Sequence, residues 1–302
     1  MHATAAPRLQ ILAAALLFST GGAAIKAVSL TAWQTAAVRS SLATLALLLL
    51  MPSWRRGWTR RTLLVGIAYA TTMILFVLGN KLTTGANIIF LQATAPLYLL
   101  LVGPLLLRER VGRREVAVAG ALALGMALFF IGFESPQETA PNPRLGNLLG
   151  AFAGLSWALT LAGLRWLGRS TPEPGTDPAG AAVLAGNVIT GFACLPLAFP
   201  FGPTAATDWA LLAYLGLFQI GLAYVFMTRG VRAVGAFEAS LLLILEPVAS
   251  VFWIWWAHGE RPAGWAIAGC AVILIATVTN TFAARPRNAE DGVRSHISTF
   301  RR

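Results

Sequence analysis

Charge is scarce in this chain. Only 12% of its 302 residues are charged, against about 25% in a soluble domain, while 57% are hydrophobic. A globular core has too little interior for that much apolar surface, so lipid has to act as solvent. Lysine is nearly absent: of 23 basic residues only Lys26 and Lys81 are lysine. Cysteine is limited to Cys194 and Cys270, both inside apolar runs, which argues against a disulfide framework. The three histidines, His2, His258 and His296, have no metal-ligand spacing. There is no Gly-rich phosphate loop ending in Lys-Ser/Thr. The sequence therefore gives no reason to expect a metal, a cofactor or ATP. The net charge of +11 would suggest nucleic acid in a soluble protein, but here the basic residues form short clusters between apolar runs.

What the chain has instead is length of apolar run. About 20 such residues cross the hydrocarbon core. Ten candidates appear, at 9–28, 33–51, 62–80, 83–107, 114–133, 145–168, 179–200, 208–229, 234–257 and 262–283. Turn signals separate them, among them Pro52-Ser53-Trp54, Ser135-Pro136 and Pro200-Phe201-Gly202-Pro203. The first run is long enough to be a membrane helix rather than a cleaved signal. The expected fold class is all-α membrane protein with ten transmembrane helices.

Basic residues set the direction. Arg8, Arg55, Arg56, Arg60 and Arg61, the cluster from Arg108 to Arg114, Arg165, Arg169, Arg229, Arg232 and the tail from Arg285 all fall on one side of a ten-span chain. Lys26, Lys81, Arg144, Arg261, Glu134, Glu138, Asp208 and Glu260 fall on the other. Both termini are thus expected in the cytoplasm.

The chain also repeats itself at an offset of 151 residues. Gly79, Lys81, Pro96, Glu109 and Arg110 recur as Gly230, Arg232, Pro247, Glu260 and Arg261, and Leu64, Leu91 and Ala117 as Leu215, Leu242 and Ala268. Five spans separate the copies, so they point in opposite directions through the bilayer. The expected organisation is a five-helix repeat over 8–133, an inverted one over 145–283, and a cytoplasmic polar tail over 284–302.

Ten helices in two copies of five, with a mid-helix proline, an apolar run and then Arg/Gly-Glu-Arg (Pro96…Arg108-Glu109-Arg110; Pro247…Gly259-Glu260-Arg261), resemble the drug/metabolite transporter superfamily of EamA-type ten-helix exporters. Within it the chain is most similar to the YddG-type bacterial aromatic amino-acid exporters. The resemblance implies a bacterial inner-membrane protein, expected as a monomer, with a basket of helices around a central cavity opened alternately to each side. It also implies that the fifth and tenth helices pack at the periphery.

A transporter of this build holds its substrate near the bilayer midplane. Span midpoints nominate Thr20, Tyr69, Met73, Gln92, Thr94, Tyr98, Trp157, Asn187, Gln219, Tyr224 and Glu246. Glu246 reads as a proton site, as a contact for a substrate ammonium, or as a bond between neighbouring helices. Arg39 offers a planar fork for a substrate carboxylate, or snorkels to the near interface. Pro96 and Pro247 each remove a backbone hydrogen bond near a helix centre and read as paired hinges or static bends. Trp157, Tyr69, Tyr98 and Tyr224 suggest an aromatic wall. Trp33, Trp54, Trp58, Trp209 and the Trp253, Trp255, Trp256 group read as interface anchors. The Glu109-Arg110 and Glu260-Arg261 pairs read as local ion pairs or helix caps, with gating as a further option.

The expected function is export of small amphipathic metabolites, chiefly aromatic and neutral amino acids, by facilitative alternating access. A proton-coupled antiporter of drugs or other metabolites is the alternative. A membrane enzyme would need a catalytic cluster, and none is visible. A channel would need a continuous polar lining, and the mid-span polar residues are too sparse.

Overall fold

The computed structural model describes residues 5–107, 112–131, 136–168, 174–231, 234, 239 and 242–283. Among them nine helices are long and apolar enough to cross a membrane: Ala6–Ala27, Ala32–Leu50, Arg60–Leu82, Gly85–Leu106, Arg113–Ile131, Pro143–Leu167, Pro178–Ala198, Ala206–Val231 and Gly264–Phe282. They correspond to the expected spans one to eight and ten, and are numbered so below. Of the expected ninth span, the helix Leu245–His258 and the residues just before it are described. Arg108, Glu109, Arg110, Glu134, Arg169, Arg232, Glu238 and the tail 284–302 lie outside the described residues. No strand is present among the described residues, and the protein is an all-α membrane protein.

Local chemistry starts the helices where loops meet lipid. Thr31 and Thr59 each form a reciprocal capping box, with Gln34 and Thr62 respectively. Asn142 and Asp177 accept N–H bonds from Leu145 and Gly180 at the starts of spans six and seven, each followed by a proline whose missing N–H costs nothing there. The outward face is apolar, as lipid requires: Leu105, Leu49, Phe192 and Trp256 are among the most exposed side chains.

The interior is built by close approach. Span three packs on spans six and seven, span two on seven, and span one on eight. Span seven carries Gly180, Ala181, Ala182, Ala185 and Gly186 on its buried face. A Cβ at Gly186 would lie 2.4 Å from Tyr69 Cδ1 and 2.9 Å from the Gly66 carbonyl, so only glycine lets spans three and seven meet there. Spans five and ten pack on each other through Gly125 and Gly269, each facing the other's carbonyl.

Three spans are broken, and each break borders the cavity. Span one breaks at Thr20 between Ala5–Ser19 and Gly21–Ala27. Span four breaks at Thr94 between Gly85–Ala93 and Ala95–Val102, with Pro96 in the first turn of the second piece. The helix of span nine begins at Leu245, with Pro247 likewise in its first turn. The prolines thus sit where a helix restarts, at the position where the absent N–H is an orphan anyway. Span eight is continuous but turns π-helical over Tyr214–Leu222.

Candidate functional site

A cavity of about 410 Å³ lies among spans one, two, three, four, six, eight and nine, within the size range of small-molecule sites. Its wall contains Arg39, Tyr69, Met73, Gln92, Trp157, Gln219, Tyr224, Glu246 and Pro247 from the nominated residues. Among the described residues, none of spans five, seven and ten lines it.

Arg39 is the deepest charge on this wall. It is 3% exposed, so its head does not snorkel to an interface. Span two is packed against seven and eight along this stretch, and Gly216 of span eight faces the Arg39 carbonyl, which leaves the side chain an inward path. One Nη donates to Gln219 Oε1 at 3.1 Å, while Nε has no partner among the described residues. A buried guanidinium on a cavity wall, with one donor unfilled, is prepared for an anionic oxygen.

Gln219 sets that pose. It lies in the π-helical stretch of span eight, a departure from α geometry that often marks functional positions. Its Nε2 donates to the Phe18 carbonyl at 3.4 Å, beside the break in span one. A Cβ on Gly21 would sit 2.6 Å from that nitrogen, so Gly21 makes the slot the amide occupies.

Glu246 lines the same cavity, in the first turn of the span nine helix. Its backbone carbonyl accepts from Ser250, but its carboxylate makes no ion pair with Arg39. Aromatic rings fill the space around the two charges. Tyr224 meets Phe18, Trp54 and Tyr69 edge-on, with centroids 5.3, 6.2 and 6.3 Å away. Trp157 packs against the same cluster and faces the cavity rather than lipid.

Five nominated residues fall outside the wall. Thr20 turns away to share a 2.7 Å hydrogen bond with the Tyr214 hydroxyl. Thr94 bonds back to Leu91 O at 2.6 Å, and Tyr98 points its hydroxyl at the Met126 sulfur of span five. Asn187 is buried in the layer behind Tyr69 and donates to Val183 O at 3.0 Å. Pro96 lies just beyond the wall, which span four enters through Ile89, Gln92 and Ala93. Depth nominated Thr20, Thr94, Tyr98 and Asn187, and depth does not say which way a helix face turns; Pro96 was nominated as a hinge or bend rather than as a wall residue.

The tryptophans need a similar correction. Trp54 is 1% exposed and donates to Asp177 Oδ2 at 3.0 Å, tying the loop after span two to span seven. Trp253 donates to Ser19 Oγ at 3.1 Å across to span one. Trp58, Trp209, Trp255 and Trp256 are exposed, as interface anchors are. Glu260 does not form its ion pair with the neighbouring Arg261: its partner is Lys26 of span one, 2.8 Å away. Sequence reasoning missed Phe18, Gly22, Phe76, Met227 and Ser250 in the wall. Their only sequence signal was proximity to nominated residues one turn or less away.

Two stretches, 8–131 and 144–282, each match the model of the EamA-like transporter family. The chain belongs to that family. The EamA-like assignment makes it a multi-pass membrane transporter. A relative from Bacillus subtilis (strain 168), the uncharacterized transporter YyaM, is 24% identical over 216 residues, which is 68% of this chain and 67% of that protein. A solved crystal structure superposes with a TM-score of 0.60 at 18% identity, covering 92% of this chain and 99% of its own, and so shares this fold.

Proposed function

We propose that this transporter exports small amphipathic metabolites, chiefly aromatic and neutral amino acids, from the cytoplasm by alternating access through the central cavity, as a facilitator. One observation carries the reading. Arg39 and Glu246, opposite in charge and not paired with each other, face one cavity whose remaining wall is largely aromatic and apolar. A zwitterion with an apolar side chain satisfies both poles at once, its carboxylate toward Arg39 and its ammonium toward Glu246.

The inverted-repeat organisation, 8–133 against 145–283, is part of the same proposal. It is supported by the two separate family matches and by helix restarts at Pro96 and Pro247, which serve as hinges. The expected topology, ten spans with both termini cytoplasmic in a bacterial inner membrane, is supported by the gathering of Lys26, Lys81, Asp208 and Glu260 at one end of the bundle. The protein works as a monomer, since the cavity is complete within one chain.

The test is flux of radiolabelled amino acids in liposomes, with and without a pH gradient. Downhill flux of aromatic and neutral amino acids is expected, and indifference to every amino acid would sink the reading. The unpaired Glu246 favours one competing account, proton-coupled antiport. Gradient-driven accumulation that disappears in Glu246→Gln would establish that account instead. Trp157→Ala is expected to reduce flux of aromatic substrates by about three- to tenfold relative to alanine, with folded yield unchanged. Equal losses for both substrates would place the aromatic side chain elsewhere.

A further inference from the structure

The end of the bundle beyond the cavity is held by groups the cavity does not use. Lys26 closes span one, and its side chain is 2% exposed. Its ammonium lies 2.8 Å from Glu260 Oε1 and donates to the carbonyls of Thr83 at 2.9 Å and Thr139 at 2.6 Å. Those three acceptors belong to three different connections: between spans three and four, five and six, and nine and ten. The other oxygen of Glu260 accepts from the Gly85 N–H at 2.8 Å, the first residue of span four, where a negative charge suits the helix end. One buried pair therefore fastens span one to three loops around it. It also joins the two family-matched stretches, since Lys26 lies in 8–131 and Glu260 in 144–282.

We infer that Lys26 and Glu260 are residues of the transport cycle itself, forming a latch that shuts the cavity at this end and parts whenever the cavity opens toward the Lys26 face. The inference rests on alternating access but not on the identity of the cargo. The physical chemistry of a buried ion pair suits a latch better than glue. Coulomb attraction inside the protein is largely offset by the cost of stripping water from both ions. Opening returns that water, so the closed and open arrangements stay close in free energy. Lysine suits such a latch. Its compact ammonium presents three donors to three acceptors and rehydrates strongly, whereas arginine's flat fork is made for bidentate partners. A chain that is otherwise almost free of lysine has one here.

Neutralising one partner strands the other as a buried, uncompensated charge when the end is shut, and that charge is hydrated when the end is open. Lys26→Met and Glu260→Gln should therefore both shift the population toward opening at the Lys26 face. The reporter is Ser250→Cys, a conservative change in the cavity wall, in a background of Cys194→Ala and Cys270→Ala. It is probed in oriented vesicles, without substrate, by a membrane-impermeant maleimide added to one face or the other. In the folded fraction, labelling from the Lys26 face is expected to rise about tenfold in each single variant, while labelling from the opposite face falls. Lys26→Met combined with Glu260→Met, which strands no charge, should return toward the parent. An unchanged ratio between the faces in both single variants overturns the latch, even if stability drops. If neither single variant yields folded protein, Lys26→Arg decides: it keeps the charge but not the three-way geometry, and an unchanged face ratio again overturns the inference. Failure of amino-acid flux would leave this result standing, and failure here would leave the cargo assignment standing.

Discussion

Replacing Arg39 by methionine is expected to cut the transport efficiency for amino acids by about 100-fold or more. The substitution keeps most of the side chain's length and volume, so the packing of spans two, seven and eight survives. What it removes is the buried guanidinium on the cavity wall, held by Gln219 and left with an unpartnered Nε. Deleting one partner of a buried, hydrogen-bonded charge pair costs about 2–5 kcal/mol, much of it the penalty of burying the other charge alone. Here that other charge is the substrate carboxylate. The same variant should carry the decarboxylated amine of the same amino acid at least as well as the parent does. Equal losses for acid and amine would mean that Arg39 is structural and that the anion binds elsewhere. Gln219→Leu should show the same discrimination in weaker form, because it releases the guanidinium from its pose without removing it.

Replacing Glu260 by alanine is expected to destabilise the arrangement in which Lys26 is buried by about 3–5 kcal/mol, because there the ammonium would have no counter-charge. Replacing the adjacent Arg261 by alanine should change stability by less than about 0.5 kcal/mol, the usual range for an exposed position. Denaturation of both variants in the same detergent provides the comparison. Comparable losses would return Glu260 to the local pairing with Arg261 that the sequence suggests. The contrast matters because adjacent opposite charges are the commonest reason to read an acid–base dipeptide as a surface pair. The partner that matters here arrives from the other end of the chain.

Glu260 marks the boundary of what a linear sequence reveals. Spans were legible because apolar length is a one-dimensional property, and breaks were legible because proline acts on its own backbone. The restarts at Ala95 and Leu245 fall beside Pro96 and Pro247 for that reason. That spans five and ten stay off the cavity wall agrees with what the family resemblance implies, whereas their packing on each other was not read from the sequence. Orientation was not. A helix apolar all round carries no stripe to show which side faces lipid, so Tyr69 and Asn187, equally central in their spans, were indistinguishable. One lines the cavity and the other lies behind it. Trp54 was misread because its burial depends on Asp177, which lies beyond four further spans. Arg39 was left open between two fates because its depth allowed both, and the neighbour that decides it, Gln219, is 180 residues away.

The near absence of lysine has a practical consequence for measurement. The chain has only two side-chain amines, and both are occupied: Lys26 by Glu260 and two carbonyls, Lys81 by the carbonyl of Val28. An acylating reagent that modifies amines therefore meets a protein with almost no background reactivity, and a lysine-specific protease finds only two sites in the whole sequence. Mass spectrometry of acylated membranes would read the occupancy of these two amines directly, in the unmodified protein, without introduced cysteines or purification.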